Sequence, residues 1–175
     1  DQMPATRQLA AIMFTDIVGY TALMQENETS AAEMRLRHRN IFQKEHHAFH
    51  GEVLQYYGDG TLSIFKSAVE AVECAISMQQ QFSTGQTVPL RIGIHLGDIV
   101  YDNNDVYGDG VNIASRIESL GVPGSILISD KLHYAIRNQG SISTKSLGYF
   151  ELKNINEPLE VYTIVMNGIK VPERS

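Results

Sequence analysis

Between residues 53 and 65 the chain has to double back on itself. Val53 to Tyr57 and Thr61 to Phe65 are two β-rich runs, and Gly58-Asp59-Gly60 between them is a strong hairpin signal. Helical patterns flank it. Upstream, Leu9 to Phe14 is strand-like, and a turn at Gly19 leads into helix. Ser30-Ala31-Ala32-Glu33 has capping-box form, and Met34, His38, Ile41, Phe42, Glu45, Ala48 and Phe49 recur at helical spacing, so the helix runs to about His50 and stops at Gly51. Downstream, Ser67-Ala68-Val69-Glu70 is a second capping box, opening a helix with Ala68, Ala71, Val72, Ala75 and Phe82 on one face. Leu90 to Tyr101 then reads as a strand interrupted at Gly93 and Gly97. Strand, helix, hairpin, helix, strand is the ferredoxin-like βαββαβ order. It predicts an α+β fold with an antiparallel-dominated sheet and helices on one face.

Further elements follow this core. Asp109 is placed to cap a helix carrying Val111, Ala114, Ile117 and Leu120. Ile126 to Ile128 is a short strand, Ser129 to Arg137 a short helix, and Ile142 to Leu152 with Leu159 to Val165 a last pair of strands. Tyr-Gly-Asp-Gly occurs at 57–60 and again at 107–110, once in a hairpin and once at a helix start, so it marks no repeat.

With 175 residues, 43% hydrophobic and 19% charged, the chain predicts one globular domain over 1–175, its core spanning about 7–166. Net charge is −6 and Lys/Arg clusters are lacking, which excludes broad nucleic-acid binding. The lone cysteine, Cys74, forms no internal disulfide, suits a reducing compartment and reads as core. No apolar run approaches the ~20 residues needed to cross a bilayer, and no stretch has signal-peptide form. A cytoplasmic location without membrane contact is therefore expected. The stretches Asp1 to Arg7 and Val171 to Ser175 read as ragged ends, which leaves room for an attached regulatory domain.

Asp16 and Asp59 carry the chemistry. Each lies where a strand gives way to a glycine turn, and in a ferredoxin-like sheet the two strand ends are neighbours. Two converging carboxylates suit a pair of divalent cations. Each also has a plain reading, as a turn cap and as the Asp of an Asp-Gly hairpin. Ile17 to Thr21 form a loop before a helix, where unpaired amides favour anions, although it lacks the GxxxxGK[ST] pattern. Asn112 and Arg116, four apart, share one helix face opposite Val111, Ala114 and Ile117. That face is either a solvated surface or a set of donors aimed at a transferring phosphorus. His46, His47 and His50 include an i, i+4 pair able to ligate zinc, without an acidic or cysteine neighbour in support. No serine has a Gly-x-Ser-x-Gly setting, so serine nucleophile chemistry is unsupported.

Phe14-Thr15-Asp16-Ile17-Val18-Gly19-Tyr20-Thr21, Gly58-Asp59-Gly60 and Tyr107-Gly108-Asp109-Gly110-Val111-Asn112-Ile113-Ala114-Ser115-Arg116 together resemble the class III nucleotidyl cyclase catalytic domain, a palm-type fold. Arg91-Ile92-Gly93-Ile94-His95-Leu96-Gly97 and the segment from Leu152-Lys153-Asn154 to Tyr162 extend the resemblance from Arg7 to about Val165. It implies that Asp16 and Asp59, with the Ile17 carbonyl, hold two Mg²⁺ or Mn²⁺ ions. It implies that Val18, Gly19, Tyr20 and Thr21 receive the triphosphate, that Asn112 orients the ribose and that Arg116 steadies the α-phosphate. It also implies a head-to-tail homodimer, the metal aspartates coming from one chain and Asn112 with Arg116 from the other. Two departures stand out. Gln55 occupies the base-selecting lysine position, while Asp105 keeps its acidic partner, so the resemblance favours ATP with weaker rejection of GTP. The stretch from Gly97 to Asp105 is short and lacks the phosphate-binding arginine of many relatives; Lys153 is the substitute. Alternatives are a guanylyl or mixed-specificity cyclase, a silent nucleotide-binding dimerisation module and a palm-type polymerase or diguanylate cyclase. Asn112 with Arg116, and the lack of a Gly-Gly-Asp/Glu-Glu-Phe hairpin, weigh against the last.

Overall fold

The computed structural model describes residues 6–102 and 105–173. Its elements run β1 (Thr6–Ile17), α1 (Tyr20–Glu26), α2 (Glu28–Ala48), β2 (Glu52–Tyr57), β3 (Gly60–Phe65), α3 (Ala68–Phe82), β4 (Leu90–Asp102), β5 (Asp105–Tyr107), α4 (Asp109–Ser119), β6 (Ile126–Ser129), α5 (Asp130–Ile136), β7 (Thr144–Phe150) and β8 (Leu159–Ile164). The sheet order is β2-β3-β1-β4-β6-β8-β7, with β5 folded back on β4. Its first four strands are the expected ferredoxin-like set. Of the strand pairings among the described residues, β4 with β6 is the parallel one, so the sheet is antiparallel-dominated as the pattern predicted.

Strand alternation divides the core in two. Ala11, Met13, Phe65, Ile92 and Ile94 face α2, α3 and α5, and pack with Phe42, Val72, Met78, Phe82 and Leu132. Ala10, Ile12, Leu62, Ile64 and Ile99 point the other way, onto Ala114 of α4. Helices thus cover both faces of the sheet, which corrects the one-face expectation. A third cluster joins Ile117 of α4 to Leu127, Leu152 and Val161. Fully burying one phenylalanine such as Phe42, Phe65 or Phe82 is worth about 2–3 kcal/mol, so the first face supplies much of the cohesion.

Local expectations met mixed outcomes. Ser67 caps α3, accepting from the Glu70 amide at 3.1 Å, as its capping box implied. Ser30 does not cap. The helical stretch breaks at Asn27, held extended at φ −155°, whose Oδ1 accepts from the Ser30 amide at 3.1 Å, so α1 and α2 are separate helices. Asp109 lies inside the first turn of α4, and Gly108 precedes it with no side-chain cap. Cys74 is fully buried. The histidine pair does not form a metal site. His46 is buried, its Nδ1–H donating to the Phe42 carbonyl at 2.8 Å while Nε2 accepts from Ser63 Oγ at 2.8 Å. His50 turns outward to Glu70.

β4 runs unbroken through Gly93 and Gly97. Gly93 marks a close approach, because a Cβ there would sit 2.4 Å from the Glu118 amide nitrogen, 2.7 Å from its Cα and 2.9 Å from the Ala114 carbonyl. All three are backbone atoms and cannot yield, so Gly93→Ala must push α4 off the sheet. Such overpacking should cost about 2–3 kcal/mol, read as a lowered urea midpoint. A second expectation concerns acid. Burial lowers His38, His46 and His95 from 6.5 to about 4. Their folded pKa values lie below the unfolded value, so their contribution is fully present above pH 6.5 and is lost as pH falls through 4. Three histidines outweigh the single Glu118 carboxyl, whose raised pKa acts in the opposite sense over the same range, so urea midpoints should decline from pH 7 to pH 5.

Candidate active site

Asp16 stands near the end of β1, where it pairs with Gly60 on one side and Arg91 on the other. Asp59 is in the hairpin turn between β2 and β3, and Gly58 takes a left-handed φ of 54° that this turn requires. The Ile17 amide donates to the Asp59 carbonyl at 3.0 Å, fastening the turn to the end of β1. The two aspartates therefore occupy adjoining backbone at one sheet edge, as the topology implied. Gly60 makes room between them, since a Cβ on it would meet the Thr15 carbonyl at 2.9 Å.

Asp16 is not bare. Arg91 grips it with both arms of its guanidinium, Nε to Oδ1 at 3.0 Å and Nη2 to Oδ2 at 2.7 Å. The same Nη2 lies 3.4 Å from Glu118 Oε2, near enough for charge attraction but without hydrogen-bond geometry. Arg91 and Asp16 side chains are each 26% exposed, and Glu118 is 3% exposed. The hydrogen bonds that Arg91 donates to Asp16 raise its pKa, with the charges of Asp16, Glu118 and Asp59 adding to them against desolvation. Burial drives the Glu118 carboxyl above the usual carboxylate range, helped by the Asp16 charge and opposed by that of Arg91. Three acids thus surround one arginine. That excess of carboxylate oxygen, beside the Ile17 carbonyl, suits hard divalent cations. Among the described residues no three His, Cys, Asp or Glu side chains already converge as a metal cage, because Asp16 is turned to Arg91.

The loop after Asp16 is shorter than expected. The Ile17 amide is spent on Asp59 and the Val18 amide donates to the Pro89 carbonyl at 2.8 Å. Gly19, at φ 76°, opens α1, and Tyr20 and Thr21 are already helical. Among the described residues the amides of Gly19, Tyr20 and Thr21 have no acceptor, and these remain for an anion. Arg35 and Arg39 of α2 line the same crevice as Ile17, Tyr20 and Asp59. Arg39 stacks its guanidinium 3.8 Å above the Tyr56 ring.

A second group lies apart from the first. Asn112 and Arg116 are on α4, away from its buried Gly110, Ala114, Ile117 and Glu118. Among the described residues neither makes a side-chain hydrogen bond or ion pair. Gln55 is exposed on β2, paired with Leu62, and Asp105 is exposed at the start of β5; their neighbours Leu54 and Val106 pack into the apolar cluster under α4. Lys153 is exposed in the β7–β8 loop, whose Leu152 and Ile155 pack against Ile117 and Ile113 of α4. The chain so groups Asp16, Ile17 and Asp59 in one place, and Asn112, Arg116, Gln55, Asp105 and Lys153 around α4 in another.

Arg91 and Glu118 were not singled out from sequence. A signal did exist: Glu118 falls four residues after Ala114, on the buried stripe of α4, where an acid needs a cationic partner.

Known proteins resemble this chain along most of its length. Residues 3–166 match the family described as the adenylate and guanylate cyclase catalytic domain. The chain is 39% identical over 165 residues to the "Putative adenylate cyclase 3" of Rhizobium meliloti; that alignment covers 90% of this chain and 28% of that protein, so the chain spans little more than a quarter of this relative's length. An adenylate/guanylate cyclase/hydrolase from Silicibacter pomeroyi superposes with a TM-score of 0.85 at 34% identity, covering 94% of this chain and all of that one. The adenylyl cyclase CyaB from P. aeruginosa gives 0.81 at 26% identity, over 94% and 97%. Matched along nearly its whole length by family, sequence and fold, this chain belongs to the class III adenylate and guanylate cyclase catalytic domains, and is an enzyme of that kind.

Proposed function

We propose that the chain is an adenylyl cyclase domain, folded as one catalytic unit, acting as a head-to-tail homodimer in the cytoplasm. It converts ATP to 3′,5′-cyclic AMP and pyrophosphate. One observation carries the reading: Asp16 and Asp59 are brought side by side, while Asn112 and Arg116 stand unpartnered on another element of the same chain. Two such chains, head to tail, complement one another.

Asp16, Asp59 and the Ile17 carbonyl hold the cations, and the amides of Gly19, Tyr20 and Thr21 receive the triphosphate, with Val18 shaping the loop. Bound there, a pair of Mg²⁺ or Mn²⁺ ions lowers the pKa of the ribose 3′-hydroxyl and offsets the triphosphate charge. The 3′-oxygen forms its bond to the α-phosphorus as the bond to the bridging oxygen breaks, the hydroxyl proton passes to solvent and pyrophosphate departs. Across the interface Asn112 fixes the ribose, and Arg116 neutralises charge gathering on the α-phosphate oxygens. Lys153 lies near the departing phosphates. Asp105 accepts from the adenine amino group and Gln55 donates to a ring nitrogen; the same Asp105 repels the guanine carbonyl oxygen. Gln55 brings no charge to this contact, which favours a secondary guanylyl activity.

Incubation with ATP or GTP and Mn²⁺, followed by chromatography, should give cyclic AMP in excess of cyclic GMP; a GTP preference would reverse the base assignment. Asp59→Asn should cut turnover by about 10³-fold, in the range of losing one essential electrostatic contact, with an unchanged circular dichroism spectrum. Neither Asp16→Ala nor Arg116→Ala should be active alone, yet the mixture should regain activity, because a heterodimer rebuilds one complete site. Failure to recover in a mixture shown to contain heterodimers would exclude the shared-site arrangement.

A further inference from the structure

Arg91 holds both oxygens of Asp16, the carboxylate assigned to the cations. The Nη2 that bonds Asp16 also lies 3.4 Å from Glu118 Oε2, which is buried without a hydrogen-bond partner. The Ser119 carbonyl accepts from Nη1, the guanidinium nitrogen that does not bond Asp16, at 3.4 Å. An unsatisfied buried carboxylate oxygen is costly, so this arrangement leaves a place prepared for a guanidinium and only partly used. Register makes the arrangement specific. Arg91 is the cross-strand partner of Asp16, and Glu118 is brought over β4 by the close approach at Gly93.

The geometry points to Arg91 as a placeholder cation that keeps Asp16 oriented and transfers to Glu118 when a divalent cation arrives. Arg91 and Glu118 are then positioning residues for the metal half-site, acting through Asp16. This inference rests on the cation-binding role proposed for Asp16. Proximity favours it: Nη2 already lies 3.4 Å from Glu118 Oε2, so a guanidinium displaced from Asp16 has an acceptor at hand. In the resting state Arg91 competes with the cation for the Asp16 lone pairs, and Glu118 is what relieves that competition.

The two residues therefore act in opposite directions on metal affinity. Mn²⁺ binding to the whole chain, without nucleotide, can be followed at constant pH from the electron paramagnetic resonance signal of the free ion. Arg91→Gln should tighten Mn²⁺ binding and Glu118→Gln should weaken it, each by roughly fivefold, the scale of one partly exposed ion pair. A merely structural role would lower both affinities or neither, and either result overturns the inference. A readout on the unsubstituted protein guards against a variant that fails to fold. The Arg91 Nε–H resonance, assigned by its loss in Arg91→Lys, should shift on adding Mg²⁺; an unmoved resonance at saturating Mg²⁺ overturns the transfer. If Mn²⁺ binds in the presence of ATP but the variants and the resonance do not respond, this inference falls and the cyclase reading stands. If Mn²⁺ fails to bind even with ATP, both fall.

Discussion

The pairing of β1 with β4 is the constraint on which the rest depends. It is continuous from Thr6 opposite Tyr101 to Ile17 opposite Leu90, and β3 lies along the other side of β1. Because side chains alternate along a strand, one register decides everything at once. It sends Ala11 and Met13 to the large core, Ile12 and Phe14 toward α4, and Asp16 to the face where Arg91 waits. A slip of one residue would carry Asp16 to the face beneath α2 and α3 and exchange the residues that pack in the two core clusters. The stability of the sheet and the placement of the acids are thus a single specification.

The second face shows how economy of space becomes chemistry. α4 lies against β4 at Gly93, and this contact brings Glu118 to Arg91 while leaving Asn112 and Arg116 on the outer surface. The inner side of α4 brings Glu118 to the Arg91 that grips Asp16, and under the proposed mechanism its outer side is the surface offered to a second chain.

What could be read from the sequence was what is encoded locally. The Gly58-Asp59-Gly60 hairpin, the Ser67 cap and the βαββαβ order follow from turn chemistry and periodicity, and the neighbouring of Asp16 and Asp59 follows from that order. The break at Asn27 was hidden because Ser30 and Glu33 form an equally good capping pattern nearby, and backbone geometry chose between them. Gly93 looked like an interruption because a sequence does not show which helix will lie across a strand. The Arg91 pairing with Asp16 and Glu118 joins three elements far apart in the chain. Only the assembled register reveals it, although an acid on the apolar stripe of α4 was a clue in plain view.

Both outermost strands of the sheet carry an irregularity. In β2 pairing skips Leu54, from Val53 opposite Ser63 to Gln55 opposite Leu62; in β7 it skips Leu147, from Ser146 opposite Tyr162 to Gly148 opposite Val161. Each extra leucine packs inward, and each border is bent where it would otherwise offer a straight ladder of free amides and carbonyls. Runaway stacking of copies through strand addition is thereby discouraged, and association is channelled to surfaces made of side chains.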